Sequence, residues 1–253
     1  MIDTHSHIYG PEFDGDRTEV IQRALESGIS KIFLPNINEE SISPMMAVAN
    51  DYPGVCFPMM GLHPEDVRDD WSVVLDHMEP LLDGMIAVGE TGLDFYWDST
   101  FRKEQIESFE RQICWARDKD LPLVVHMRKA EPELLDAMER HKADGLRGVF
   151  HCFGGSIESA RRMLKYEGFA LGIGGVVTFK NSHLAETLKG VPLERVVLET
   201  DAPYLTPVPY RGKRNEPSYV TYVASCLSNI YNVSLEEVNE VTNRSVSRIF
   251  GAL

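Results

Sequence analysis

Six residues of metal-ligand type stand where short apolar runs stop. His5 and His7 lie in Asp3-Thr4-His5-Ser6-His7. Alternation along a strand puts residues i and i+2 on one face, so both imidazoles can converge on one ion; a hydrogen-bonded polar pair at a strand end is the plain alternative. Downstream, Glu90 closes the run 85–90, His126 the run 121–126 and His151 the run 148–151, while Asp201 follows 196–200. One such residue could be a satisfied core group, because a buried charge needs a partner. Five strands ending this way point to a shared ion. Four histidines and two carboxylates exceed what one four-coordinate zinc needs, whereas two ions bridged by a carboxylate use them all. The chemistry of such a pair is hydrolysis by activated water.

These residues need elements that bring them together. Short β-rich apolar runs recur at 1–5, 31–35, 55–62, 85–90, 121–126, 148–151, 169–174 and 196–200, spaced as strand-plus-helix units require. Between them, apolar residues recur at helical spacing: Val20, Ile21, Ala24 and Leu25; Ile106, Phe109, Ile113 and Ala116; Ile157, Ala160 and Leu164, the last helix expected to end at Gly168. Ser234-Leu235-Glu236-Glu237 has a capping-box pattern and opens a last helix running towards Phe250. Eight strands alternating with helices fit a (β/α)8 TIM-type barrel or an open doubly wound sheet. Barrel chemistry sits at the C-terminal ends of the strands, where these polar residues fall. The reading is therefore one barrel domain over 1–253.

The chain has 253 residues, 39 acidic and 25 basic, for a net charge of −14. Its 43% hydrophobic and 25% charged content excludes a disordered chain and suffices for a large core. The acidic balance argues against a surface that coats nucleic acid, though not against a local basic site. Cys56, Cys114, Cys152 and Cys226 form no CxxC pair and read as reduced thiols of a cytoplasmic protein. The opening MIDTHSH has neither a basic flank nor a long apolar region, so no signal peptide is expected. The uncharged stretch 217–235 is crowded with Ser, Thr, Asn and Tyr, which a bilayer core disfavours. No membrane association is expected.

DTHSH (3–7), GLHP (61–64), GETGLD (89–94), VVHMR (124–128), FHCFGG (150–155), LETDAPYLTP (198–207) and PYRGKRNEP (209–217) occur in that order. The ordered set resembles the TatD-type metal-dependent deoxyribonucleases, over essentially the whole chain. The resemblance implies an amidohydrolase-type barrel, a two-metal site and hydrolysis of nucleic-acid phosphodiesters, typically 3′→5′ on single strands. It assigns His5 and His7 to one ion, Glu90 to both as a bridge, His126 and His151 to the second, and Asp201 to the first beside the attacking water. Asp201 would take that water's proton as general base. Glu199 either orients this network or caps a loop. Two departures stand out: Ile8-Tyr9 follows His7 without the family's aspartate, and Tyr210 stands where histidine is frequent.

His63 in GLHP is read either as a structural hydrogen bonder or as a substrate contact; the resemblance favours phosphate. Arg211, Lys213 and Arg214 form a basic island past the eighth strand, where barrels often bind phosphate, and Asn215 can add a hydrogen bond to the same group. Gly172, Gly174 and Gly175 do not complete GxGxxG and read as a close-packed loop. Cys152 is expected to point away from His151, into the layer between barrel and helices. The expectation is a monomeric cytoplasmic hydrolase using two divalent ions (zinc, magnesium or manganese) on single-stranded DNA or other nucleic-acid ends. A same-fold hydrolase of an amide, lactone or aminoacyl ester is the nearest alternative, from which the basic island separates it. A non-catalytic metal-dependent binding protein is more distant, because Asp201 has little use in a purely structural site.

Overall fold

The computed structural model describes residues 1–141 and 145–252. Eight strands, β1 (Ile2–Asp3), β2 (Lys31–Pro35), β3 (Cys56–Met59), β4 (Val88–Asp94), β5 (Leu123–Arg128), β6 (Arg147–Phe150), β7 (Gly168–Ile173) and β8 (Val196–Leu198), lie parallel in sequence order. They form one sheet of β1 to β3 and another of β4 to β8. The sheets meet at both edges. Met60 bridges Val88, and Ile86 donates its N–H to the Pro58 carbonyl. At the other seam Ser6 bridges Ala202, and the Thr4 N–H reaches the Leu198 carbonyl at 3.0 Å. The ring is thus joined by single bridges at two places and by ladders elsewhere.

One layer of side chains fills its interior. Ile2, Phe33, Met59, Val124, Val149, Ala170 and Val197 come from seven strands, and Ala87 precedes β4; all pack together. This is the inward-facing layer a closed parallel barrel requires. The helices α1 (Arg17–Glu26), α2 (Glu39–Asp51), α3 (Trp71–Met78), α4 (Arg102–Asp118), α5 (Glu131–Arg140), α6 (Ile157–Met163), α7 (Leu184–Leu188) and α8 (Val220–Tyr231) follow the strands in turn. Their apolar faces, such as Phe109 and Ile113 of α4, bury against the outside of the ring. The last helix, α9 (Leu235–Phe250), sends Val246, Ile249 and Phe250 against the interior layer. Its first turn is capped as expected, Ser234 accepting the Glu237 N–H at 3.1 Å.

Three boundaries differ from the sequence reading. The β4–β5 ladder continues to Asp94 opposite Arg128, so Glu90 and His126 lie within strands rather than at their ends. β1 stops at Asp3, leaving His5 and His7 beyond it. Helix α6 ends at Met163, and Gly168 opens β7 instead of capping a helix. No helix among the described residues is long and apolar enough to cross a membrane.

Candidate metal centre

The six residues singled out above stand two to five positions further along the chain than the interior layer, within or just past the strands, and they converge. The first–last seam does much of this. The His7 N–H donates to the Ala202 carbonyl at 2.7 Å and the Asp201 N–H to the His5 carbonyl at 2.9 Å. Asp201 has φ of 58°, in the left-handed region that Asp and Asn tolerate best after Gly. Glu90 is the hub. Its Oε2 faces His5 Nε2 at 3.1 Å and His7 Nε2 at 3.7 Å; its Oε1 faces His126 Nδ1 at 2.9 Å and His151 Nε2 at 3.8 Å. Asp201 Oδ1 lies 3.6 Å from His7 Nε2, 3.7 Å from His151 Nε2 and 3.9 Å from His5 Nε2.

Behind three of these rings stands an oxygen. His7 Nδ1 is 2.9 Å from Tyr9 Oη, His126 Nε2 is 2.9 Å from Asp94 Oδ2, and His151 Nδ1 is 3.1 Å from Glu199 Oε1. Tyr9 and Asp94 take the remote ring protons of His7 and His126 and leave the other nitrogen of each as a lone pair turned to the centre, while Glu199 faces His151 Nδ1 without a hydrogen bond. Histidines that ligate metals are held in this way. Glu199 also accepts the Cys152 N–H at 2.6 Å, which ties it to the loop after β6. Its place depends on Gly172, where an added Cβ would come 2.1 Å from Glu199 Oε2.

The donor set fits divalent ions. With its Nε2 proton given to Asp94, His126 turns a lone pair onto Glu90 Oε1 at 2.9 Å, and two acceptors that close need a proton or a metal cation between them. Most of the other separations, 3.6 to 3.9 Å, are too long for hydrogen bonds. They approach the spacing of about 3.4 Å expected for ligand atoms about 2.1 Å from a tetrahedral ion.

The electrostatics follow from that crowding. Burial works against charge on His126, yet its hydrogen bonds to Asp94 and Glu90 raise it to about 9. Burial is likewise outweighed at His151 by Glu199, Glu90 and Asp201, which raise it to about 10. Glu90 lies well below the usual carboxylate range despite its burial, held there by His5, His63 and His151. Such strong perturbation is what a functional cluster of titratable groups produces.

His63 joins the same cluster. Its Nδ1 accepts the Glu65 N–H at 3.1 Å, which makes Nε2 the protonated nitrogen of the neutral ring, and that N–H points to His126 Nδ1 at 3.2 Å and Glu90 Oε1 at 3.4 Å. Cys152 departs from expectation. β6 has ended at Phe150 and Cys152 has φ of 50°, so strand alternation no longer governs it, and it lines the cavity with His151 and Asp201. Burial, Asp201 and Glu199 push its thiol pKa up, which makes it a poor nucleophile.

The basic island breaks apart. Arg214 pairs with both oxygens of Asp16 and stacks over Phe13, a structural role. Asn215 is fully buried, its amide donating to the Thr200 and Tyr204 carbonyls at 2.8 and 2.6 Å, so it braces the loop and does not offer itself to substrate. Arg211, stacked 4.0 Å over Phe179, and Lys213 are exposed, but neither lines the cavity of about 710 Å³ over the six residues. The cation that does is Arg128, in β5 two residues beyond His126.

The family model for TatD-related DNases matches residues 2–251. The chain belongs to the TatD family. It is 36% identical to a metal-dependent hydrolase of Bacillus subtilis, YabD, across 99% of this chain and 98% of the relative. It is 28% identical to a Pectobacterium parmentieri protein named as a 3′-5′ ssDNA/RNA exonuclease, across 99% of both. Among solved structures, the TatD homologue YjjV of Escherichia coli superposes with a TM-score of 0.93 at 29% identity, covering 100% of this chain and 98% of that one. Like its TatD-family relatives, the protein is a metal-dependent hydrolase, and its parallel α/β barrel is the fold of YjjV.

Proposed function

We propose that this protein is a two-metal phosphodiesterase that removes nucleotides from the 3′ end of single-stranded DNA or related nucleic acid. The observation that carries the two-metal part is Glu90, one carboxylate oxygen turned to His5 and His7 and the other to His126 and His151. The choice of nucleic acid and of 3′→5′ direction is supported by the Pectobacterium relative's name and by the zebrafish relative named a putative deoxyribonuclease, 32% identical across 100% of this chain. His5, His7 and Asp201 would hold one ion, His126 and His151 the other, with Glu90 between. When bound, the ions supply Lewis acidity towards a phosphoryl oxygen and acidify a water.

The chain's own residues do the rest. Asp201, its side chain 14% exposed at the cavity, accepts the proton of the attacking water. The His63 Nε2–H is free to turn to a phosphate oxygen when His126 faces an ion. Water adds to phosphorus, the bond to the 3′ oxygen of the retained strand breaks as that oxygen takes up a proton from solvent to become the new 3′ hydroxyl, and a 5′-nucleotide leaves. The reading takes the enzyme as monomeric and cytoplasmic, in keeping with four cysteines that form no disulfide.

The separation from an ester or amide hydrolase no longer rests on the 211–214 island, which lies off the cavity; it rests on Arg128, which a neutral substrate does not need. The deciding experiment presents end-labelled single- and double-stranded DNA and RNA, with either end blocked, beside lactone and aminoacyl-ester substrates. Stepwise shortening from the free 3′ end, abolished by chelation and restored by a divalent ion, is expected. Ester turnover with intact strands would overturn the reading.

A further inference from the structure

Beyond the ligand set, the cavity mouth carries an exposed aromatic pair. Tyr96 and Trp97 follow β4 and are 49% and 67% exposed, unusually high for rings of that size. They meet edge to face at 4.8 Å and 85°, which leaves ring faces open to solvent. The Arg128 guanidinium lies 3.9 Å from the Tyr96 centroid and 5.1 Å from that of Trp97. Among the described residues no carboxylate pairs with Arg128, and it is the one Arg or Lys lining the cavity. An unpaired cation stacked on exposed rings is positioned without being neutralised.

The pair is also tied to the metal centre. Asp94 Oδ2 stands behind His126, while its Oδ1 accepts the Tyr96 N–H at 2.8 Å. The Phe95 N–H donates to the Arg128 carbonyl at 3.0 Å. One carboxylate therefore fixes both a ligand-type imidazole and the turn that carries the rings.

We propose that Trp97 and Arg128 form a subsite for the nucleotide next to the one being removed, Trp97 stacking its base and Arg128 contacting its phosphate. The inference rests on the nucleic-acid reading above. Aromatic stacking accepts any base, because every base has a π face, and a nearby cation follows the backbone; this is how sequence-tolerant single-strand binders work. Glu65 and Asp66 line the same cavity and repel phosphate from their side, which leaves Arg128 as its anchor.

The test compares KM and kcat of the metal-loaded enzyme on a short single strand and on a strand of equal length whose internal residues are abasic, its terminal nucleotide intact. The native protein is expected to show a KM about 5- to 150-fold lower for the strand with bases, the range one stacked base carries. Trp97→Ala should erase that preference, and Trp97→Phe should restore much of it. Arg128→Ala should lower the logarithmic salt dependence of kcat/KM by about 0.7 on both strands. Equal KM for the two strands in the native protein, or a preference that survives Trp97→Ala, would overturn the subsite while leaving the nuclease reading intact. Native protein that cleaves neither strand overturns both.

Discussion

His7 Nδ1 and Tyr9 Oη lie 2.9 Å apart, and the same hydroxyl donates to the Pro35 carbonyl at 2.6 Å. With its own proton committed to Pro35, Tyr9 can only accept from His7, which turns the Nε2 lone pair towards Glu90 and Asp201. The tyrosine thus does at this ring what a carboxylate does behind His126. Tyr9→Phe keeps the packing and removes the acceptor. Divalent-metal affinity, followed by competition with a chromogenic chelator, should fall about 10- to 100-fold, with activity recovering at saturating metal. Unchanged affinity would show that His7 needs no orienting partner.

Asp201→Asn should fold, because asparagine accepts the left-handed backbone that φ of 58° requires. It should still bind single strands. Turnover is expected to drop by about 10²–10⁴-fold, the loss typical of a general base. Single-turnover cleavage checks this; a near-native rate would transfer the base role to another group.

Gly172 has no room for a methyl group, since a Cβ there would lie 2.1 Å from Glu199 Oε2. Gly172→Ala should therefore push Glu199 off His151 and destabilise the fold by about 1–3 kcal/mol, the range for overpacked cores. Calorimetry should record a Tm lower by roughly 2–4 °C per kcal/mol. Metal content after dialysis should fall with it.

The recurring short apolar runs were enough to locate all eight strands, because parallel barrel strands are buried on both faces. The polar residues that close the runs are those that converge on Glu90, with period-two alternation setting His5 beside His7. Asp94 was reachable by the same rule, as Glu90, Gly92 and Asp94 alternate along β4, but the strand was expected to stop at Glu90. Tyr9 was noticed only as a departure from a pattern. The basic island misled because clustering in sequence says nothing of partners: Arg214 faces Asp16 from a different part of the chain, and Asn215 turns inward. Arg128 lay within a quoted motif, yet its exposure beside Trp97 is a property of how β4 and β5 end together. No single-sequence period carries that.

Glu216 is buried and bonded to Arg23 through both oxygens, at 3.0 and 2.7 Å, joining the 209–217 loop to α1. Burial raises its carboxyl, but Arg23 and Ser218 outweigh this and hold the folded-state pKa below the usual value. A depressed pKa gives stability that is present above the unfolded value of about 4.3 and is lost as pH falls through the folded one. Denaturant titrations of Glu216→Gln should accordingly show a lower plateau at neutral pH and a shallower decline below about pH 4. An acid limb identical to that of the native protein would refute the assignment.

The seam where Ser6 meets Ala202 has a bearing on how the molecule is made. Asp3 and Thr200, 197 positions apart, share a hydrogen bond there, and His5, His7 and Asp201 hang on the same junction. Pairings of such sequence separation are the slowest to form, since the loop between them must close first. During synthesis β1 therefore waits, with His5 and His7 beyond it unpaired, until residues 200–202 have emerged. Competence to bind an ion at His5 and His7 and completion of the ring become the same event, so uptake of metal during refolding marks the moment β8 docks on β1.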